Sequence, residues 1–150
     1  MRTFTVESRL RADRETVWRH ATRPSELGDE FWPFLRMTFP AEVEVLGESV
    51  PLGERIGRSW MLLFGLLPVE YDDLTLVEVE PGHRFLEQST MLSQRRWEHE
   101  RTIVDDGDGC RVTDRIEFEA KVPFLEPIYA PVFRATFAWR HHRLRKRFGR

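Results

Sequence analysis

The segment "TFTVESRL" (3–10) alternates Phe4, Val6, Ser8 and Leu10 with polar neighbours, and this two-residue period predicts a strand. Asp13 then stands where an N-cap belongs, ahead of "RETVWRHAT", whose Val17, Trp18 and Ala21 form a short apolar side. Pro24 opens a second short helix, "PSELGDEF", with Ser25 and Glu26 in its first turn. From about residue 35 to 119 the period returns to two. "AEVEVLG", "RIGRSWMLLF", "VEYDDLTLVEVE", "HRFLEQSTM", "RRWEHERTIV" and "CRVTDRIEFEA" read as strands, separated by the turn chemistry of "GESVPLGE", "GLLP", "PGH" and "DDGDG". In "RIGRSWMLLF" the inner face is open, because Ile56, Trp60, Leu62 and Phe64 compete with Met61 and Leu63. From about Glu126 to Phe148 the spacing becomes helical: Ile128, Val132, Phe133, Phe137, Leu144 and Phe148 mark one long helix, with Pro127 and Pro131 in or near its first turns.

The order is one strand, two short helices, six strands joined by short loops, and a long amphipathic helix. It predicts an α+β fold in which a seven-stranded antiparallel curved sheet wraps the C-terminal helix. No repeat, low-complexity segment or linker divides the chain, so residues 1–150 are expected to form a single domain. A helix of about 20 residues needs an apolar surface to cover, and the sheet supplies it. Twist and curvature prevent close contact along the whole length, which leaves room for a cavity. Phe133 and Phe137 occupy helix positions where a plain core would usually carry leucine.

The strand at 95–104 bears on what that cavity holds. Trp97, His99, Arg101 and Ile103 share one face; Arg96, Glu98, Glu100 and Thr102 form a plain solvent face. Two residues that favour burial thus sit beside a histidine and an arginine that do not. On the next strand Val112, Asp114, Ile116 and Phe118 share a face, and on the preceding one Phe85, Glu87 and Ser89 do. Each inward set brings an ionisable residue with it. One reading makes these residues the lining of a partly polar cavity. The other is purely structural: a buried His–carboxylate pair satisfies itself, and Arg101 reaches solvent at the sheet's end over its aliphatic stem.

Three stretches carry a family resemblance: "VESRLRADRETVWRHATRPSEL", "RFLEQSTMLSQRRWEHERTI" followed by "GCRVTDRIEF", and the closing "RHHRLRKRFG". With the order of elements, they resemble the START-related, birch-pollen-allergen-like and polyketide-cyclase (SRPBCC) superfamily of helix-grip proteins, in a bacterial ligand-binding branch. The resemblance covers essentially the whole chain. It implies the helix-grip fold, a lipophilic molecule held between sheet and long helix, and no fixed reaction. It also places the strands of Glu87, His99 and Asp114 side by side. The candidate ligand-binding residues are therefore Glu87, Trp97, His99, Arg101, Asp114, Phe133 and Phe137; in an enzyme, His99 and Asp114 would be the catalytic pair.

Composition narrows the function further. A net charge of −2 favours neither nucleic acid nor an acidic partner, and an aromatic share of 12% suits an apolar pocket. The single cysteine, Cys110, forms no internal disulfide, and no apolar run is long enough for a leader or a membrane span, so a cytoplasmic protein without stable membrane insertion is expected. No metal and no cofactor are expected. Asp106, Asp108 and Glu117 faintly match a calcium loop, but Cys110 and Arg111 fall where a carboxylate and a glycine are needed. His141 and His142 point about 100° apart on a helix and cannot chelate together. "RHHRLRKRFGR" reads as a solvated helix end whose charges complement the dipole. Two functions fit: a carrier or sequestering protein for a small lipophilic or aromatic molecule, and an aromatase/cyclase-like enzyme acting on a polyketide-like substrate. The sequence fixes neither ligand nor oligomeric state.

Overall fold

Strict alternation in Arg2–Leu10 forms strand β1, and the chain then turns into helix α1 (Arg14–Thr22), where the Asp13 side chain accepts the Thr16 backbone N–H at 2.8 Å. Helix α2 (Pro24–Leu27) runs directly into a 3-10 turn, Gly28–Glu30. Strands β2 (Leu35–Met37), β3 (Arg55–Leu63), β4 (Leu67–Glu80), β5 (Arg84–Met91), β6 (Gln94–Asp106) and β7 (Gly109–Ala120) follow, and helix α3 spans Glu126–Phe148. The computed structural model describes residues 1–39 and 51–150. The strand expected at 41–47 lies outside the described residues. The described β2 comprises only three residues, too few for alternation to reveal.

The strands form one antiparallel sheet in the order β1-β7-β6-β5-β4-β3-β2. This is the helix-grip architecture: a curved antiparallel sheet with a long C-terminal helix. The inner face of β3 is settled by irregularities in its pairing with β4, between Arg55 and Gly57 and between Met61 and Leu62. Such an extra residue reverses the alternation, so Ser59 is buried and Met61 and Leu63 face inward, while Trp60 is partly exposed. The β6–β7 hairpin needs glycine for two reasons. Gly107 has φ +61°, and a Cβ on Gly109 would lie 1.9 Å from the Leu10 carbonyl oxygen.

The core is layered along the strands. At one end Phe4, Trp97, Ile116, Phe118 and Phe137 pack together, with Phe133 against them. At the other, Leu10, Val17, Ile103, Cys110, Val112 and Leu144 form a second apolar layer. Between the two, each contributing element places polar residues: Ser8 on β1, His99 and Arg101 on β6, Asp114 on β7, and Arg140 and His141 on α3. The α3 stripe differs from expectation at its start, where Ile128 is 60% and Val132 54% exposed. The helix settles against β1, β7 and the 3-10 turn, leaving that face of its first turns uncovered.

Leu144 is fully buried in the second layer and has no polar side-chain atom of its own. Leu144→Ala is expected to destabilise the fold by about 2–5 kcal/mol in urea unfolding, through lost transfer energy and the void left behind. A change under about 1 kcal/mol would show that α3 contributes little to that layer.

Candidate functional site

Arg101 and Asp114 are cross-strand partners in the β6–β7 register, and both are 0% exposed. Arg101 Nε donates to Asp114 Oδ1 and Nη2 to Oδ2, each at 2.8 Å. The opposite edge of the same guanidinium meets Glu30, Nη1 to Oε2 at 3.0 Å and Nη2 to Oε1 at 2.8 Å. Asp114 further accepts His99 Nε2 at 2.7 Å and His141 Nε2 at 2.7 Å. Glu30 accepts Arg140 Nε at 3.1 Å, and His20 Nε2 stands 3.3 Å from it. Ser8 bridges outward: its hydroxyl lies 2.7 Å from His141 Nδ1 and accepts Arg145 Nη1 at 2.7 Å. That chain matches the Nε2–H tautomer of His141, with the Ser8 hydroxyl donating to Nδ1.

Two guanidinium cations and two carboxylates balance in this layer. Burial alone would raise the pKa of both acids, but Arg101 and Arg140 hold the Glu30 carboxyl well below the usual carboxylate range, and Arg101 and His99 do the same for Asp114. The same pairing pushes Arg101 up against its own burial.

Beside this layer opens a cavity of about 710 Å³ between sheet and α3, within the range of roughly 300–1,000 Å³ usual for small-molecule sites. Its wall is chiefly apolar, from Phe31, Met61, Leu74, Trp97, Phe133 and Phe137. Charged or titratable side chains interrupt it, Glu70, Asp72, Glu87, His99 and Arg140, together with the hydroxyls of Tyr129 and Thr136. Glu87 pairs with His99 in the β5–β6 register and accepts the Ser89 hydroxyl at 2.7 Å; its other oxygen is 4.0 Å from His99 Nδ1. Asp72, on β4, is pushed well above the usual carboxylate range, by burial first and by Glu87 second, and its Oδ1 has no partner among the described residues.

Of the residues singled out from the sequence, Glu87, Trp97, His99, Phe133 and Phe137 line the cavity. Arg101 and Asp114 stand behind the wall, engaged with each other, and Arg101 does not reach solvent over its stem. Glu98, expected on a plain solvent face, is buried in an outer-face ladder with Gln88 and Arg115. The basic stretch at 140–150 is only partly a solvated end, since Arg140 binds Glu30, Arg143 binds Asp29 and Arg145 binds Ser8. Sequence reasoning missed Asp72, Glu30, Arg140 and His141. Signals existed for three: Asp72 alternates with Leu74 and Leu76, and Arg140 and His141 fill the stripe between Phe137 and Leu144. Glu30 lies in a turn, where no period applies. Among the described residues no group of three or more His, Cys, Asp or Glu side chains is placed to hold a metal ion. No helix among them is long and apolar enough to cross a membrane.

The curved antiparallel sheet gripping a long C-terminal helix, with a cavity between them, is a helix-grip fold. The chain belongs to the family described as "Domain of unknown function (DUF8410)", whose profile matches residues 8–148. It is similar in structure to protein CV1439 from Chromobacterium violaceum, with TM-score 0.74 and 16% identity over 100% of this chain and 99% of that one. A START superfamily protein from Mycobacterium smegmatis aligns with TM-score 0.66 and 10% identity, over 97% of this chain and 96% of the other. DynU16, a protein in the dynemicin biosynthetic locus, aligns with TM-score 0.57 and 12% identity, over 93% of this chain and 46% of its own. No functionally curated protein matches in sequence.

Asp114→Asn is expected to cost about 3–5 kcal/mol of stability at neutral pH, because it leaves Arg101 buried without its full counter-charge. Asp114 and Glu30 have depressed folded pKa values, so their stabilisation is fully present above about pH 4 and fades as pH falls toward those values. Asp72 has the opposite sign: raised in the fold, it lowers stability as pH rises from about 4. Asp72→Asn should therefore raise Tm more at neutral than at acidic pH, and thermal melts across that range would reveal an equal or reversed effect.

Proposed function

We propose that the protein binds a small lipophilic or aromatic molecule in the cavity between the sheet and α3, as a carrier or sequestering protein. The observation that carries this reading is the cavity itself: ligand-sized, walled by aromatic rings, and interrupted by few polar groups. Trp97, Phe133 and Phe137 form its stacking surface, with Trp97 and Phe133 centroids 5.0 Å apart in an edge-to-face contact. Glu87 and His99 supply polar contacts, while Arg101 and Asp114 act from behind the wall by fixing His99. Likeness to a START superfamily protein supports the same reading at the level of fold.

A second reading, an aromatase/cyclase-like enzyme, is favoured by one observation. His99 is held by Asp114 at 2.7 Å through Nε2, and its Nδ1 is left toward Glu87 and the cavity. In that geometry Asp114 orients the ring and Nδ1 is the atom that takes or gives a proton.

N-phenyl-1-naphthylamine, an uncharged fluorescent probe, is expected to bind with micromolar-order affinity, about −8 kcal/mol. Met61→Trp fills the cavity from β3 and should weaken the probe at least about tenfold while the fold is kept. Absence of saturable fluorescence in the folded protein would end the carrier reading. His99→Gln preserves hydrogen bonding and should shift probe affinity by about tenfold or less; a substrate whose turnover drops about a hundredfold in that variant, with binding intact, would establish the enzyme instead.

A further inference from the structure

We infer that the ligand carries a carboxylate, and that the outer edge of the Arg140 guanidinium receives it. This rests on the cavity being a ligand site and specifies which end of the ligand lies where. Arg140 is 6% exposed and forms part of the cavity wall. Its Nε donates to Glu30 Oε1, and its guanidinium carbon lies 4.6 Å from the Phe31 ring centroid and 4.7 Å from that of Phe137. One edge is thus pinned and the group is flanked by two rings, which fixes its plane. Nη1 and Nη2, with four N–H groups, have no protein acceptor among the described residues.

The contrast with Arg101 is informative. All three Arg101 nitrogens donate, and they use the acceptor capacity of the cluster. Each Asp114 oxygen already accepts two donors, Glu30 Oε1 accepts from both arginines, and Glu30 Oε2 accepts Arg101 with His20 close by. Among the described residues nothing in the layer is left for the second edge of Arg140. A buried cation with two parallel, unfilled donors matches the two oxygens of a carboxylate. Burial, aided by the like charge of Arg101, pushes the Arg140 pKa down, so an arriving anion relieves a real deficit. Of the other ionisable groups at the wall, Glu70, Asp72 and Glu87 on β4 and β5 are acids, which offer an anion no cationic partner. His99 has its Nε2 bonded to Asp114, so Arg140 is the cation with a free paired edge among the described residues. Phe137, which touches both Arg140 and the Trp97 ring, joins that end to the aromatic wall.

Two matched pairs test the assignment by calorimetry at about pH 8, where the acids are ionised: dodecanoate against dodecanol, and 2-naphthoate against 2-naphthalenemethanol. Each acid is expected to bind the wild type at least about tenfold tighter than its neutral partner. Arg140→Met should erase that preference while leaving the neutral ligands nearly unchanged; Arg140→Lys, which keeps the charge but loses the paired edge, should retain only part of it. Equal affinity within both pairs, with N-phenyl-1-naphthylamine still bound, would overturn the carboxylate assignment and leave the cavity reading standing. Failure of every ligand, that neutral probe included, would overturn both. If Arg140→Met does not fold, the wild-type acid-to-alcohol ratio and the Lys variant decide.

Discussion

Arg101, buried between Asp114 and Glu30, is the interaction on which the rest of the structure depends. Placing such charges in a protein interior is costly, and the arrangement persists only where each charge has an opposite charge against it. Here two cations meet two anions, His99 and His141 donate to Asp114, Ser8 joins His141, and His20 stands beside Glu30. The partners come from the whole chain: Ser8 on β1, His20 on α1, Glu30 on the 3-10 turn, Arg101 and Asp114 on β6 and β7, and Arg140 and His141 on α3. An apolar contact tolerates sliding. A set of hydrogen bonds between 2.7 and 3.1 Å does not, so this layer fixes where α3 stands relative to the sheet.

That placement explains the cavity. The C-terminal half of α3 is tied to the β1–β7–β6 side and to the 3-10 turn, and the sheet continues past it through β5, β4 and β3. The residues facing inward on those strands, among them Met61, Leu74 and Glu87, look across open space. Void space in a core normally collapses or destabilises, because its lining loses contacts. Here α3 cannot move to fill it without breaking the ionic layer. The site and the fold therefore share one cause.

Much of this was legible in the sequence because alternation is a strong signal where one face is buried. Phe4, Val6, Ser8 and Leu10, or Val112, Asp114, Ile116 and Phe118, declare their faces without help. The same rule left β3 open, because irregularities in its pairing with β4 put Ile56 and Met61, residues of opposite parity, both toward the interior. It also undervalued the outer face of β6, because Glu98 is buried by a ladder of long polar side chains rather than by apolar ones. The hardest part was partner identity. Arg101 read as cavity lining or as a side chain reaching solvent, and Asp114 as a partner for His99; Glu30, which shares Arg101 with Asp114, lies 71 positions away on a turn whose direction no periodicity encodes. Arg140 and His141 fell in a basic run, and charge density there obscured their place on the apolar stripe.

The geometry also bears on the choice between binding and catalysis. Asp114 accepts four hydrogen bonds and is held well below the usual carboxylate range, so it fixes His99 and takes no proton itself near neutrality. His99 has its Nε2 committed to that bond, and Glu87 has one oxygen committed to Ser89. Among the described residues, the groups left unengaged at the cavity wall include Asp72 Oδ1, His99 Nδ1 and the outer edge of Arg140. These come from three different elements, β4, β6 and α3, around an aromatic surface. A few fixed polar groups spread over an apolar wall orient a lipophilic molecule, which is what recognition requires. Acid–base catalysis requires more, a donor and an acceptor both within reach of one reacting centre. Asp72 has Glu87 beside it, an acid next to an acid; Arg140 has its Nε bonded to Glu30; and His99 Nδ1 stands 4.0 Å from Glu87, which falls short of a hydrogen bond.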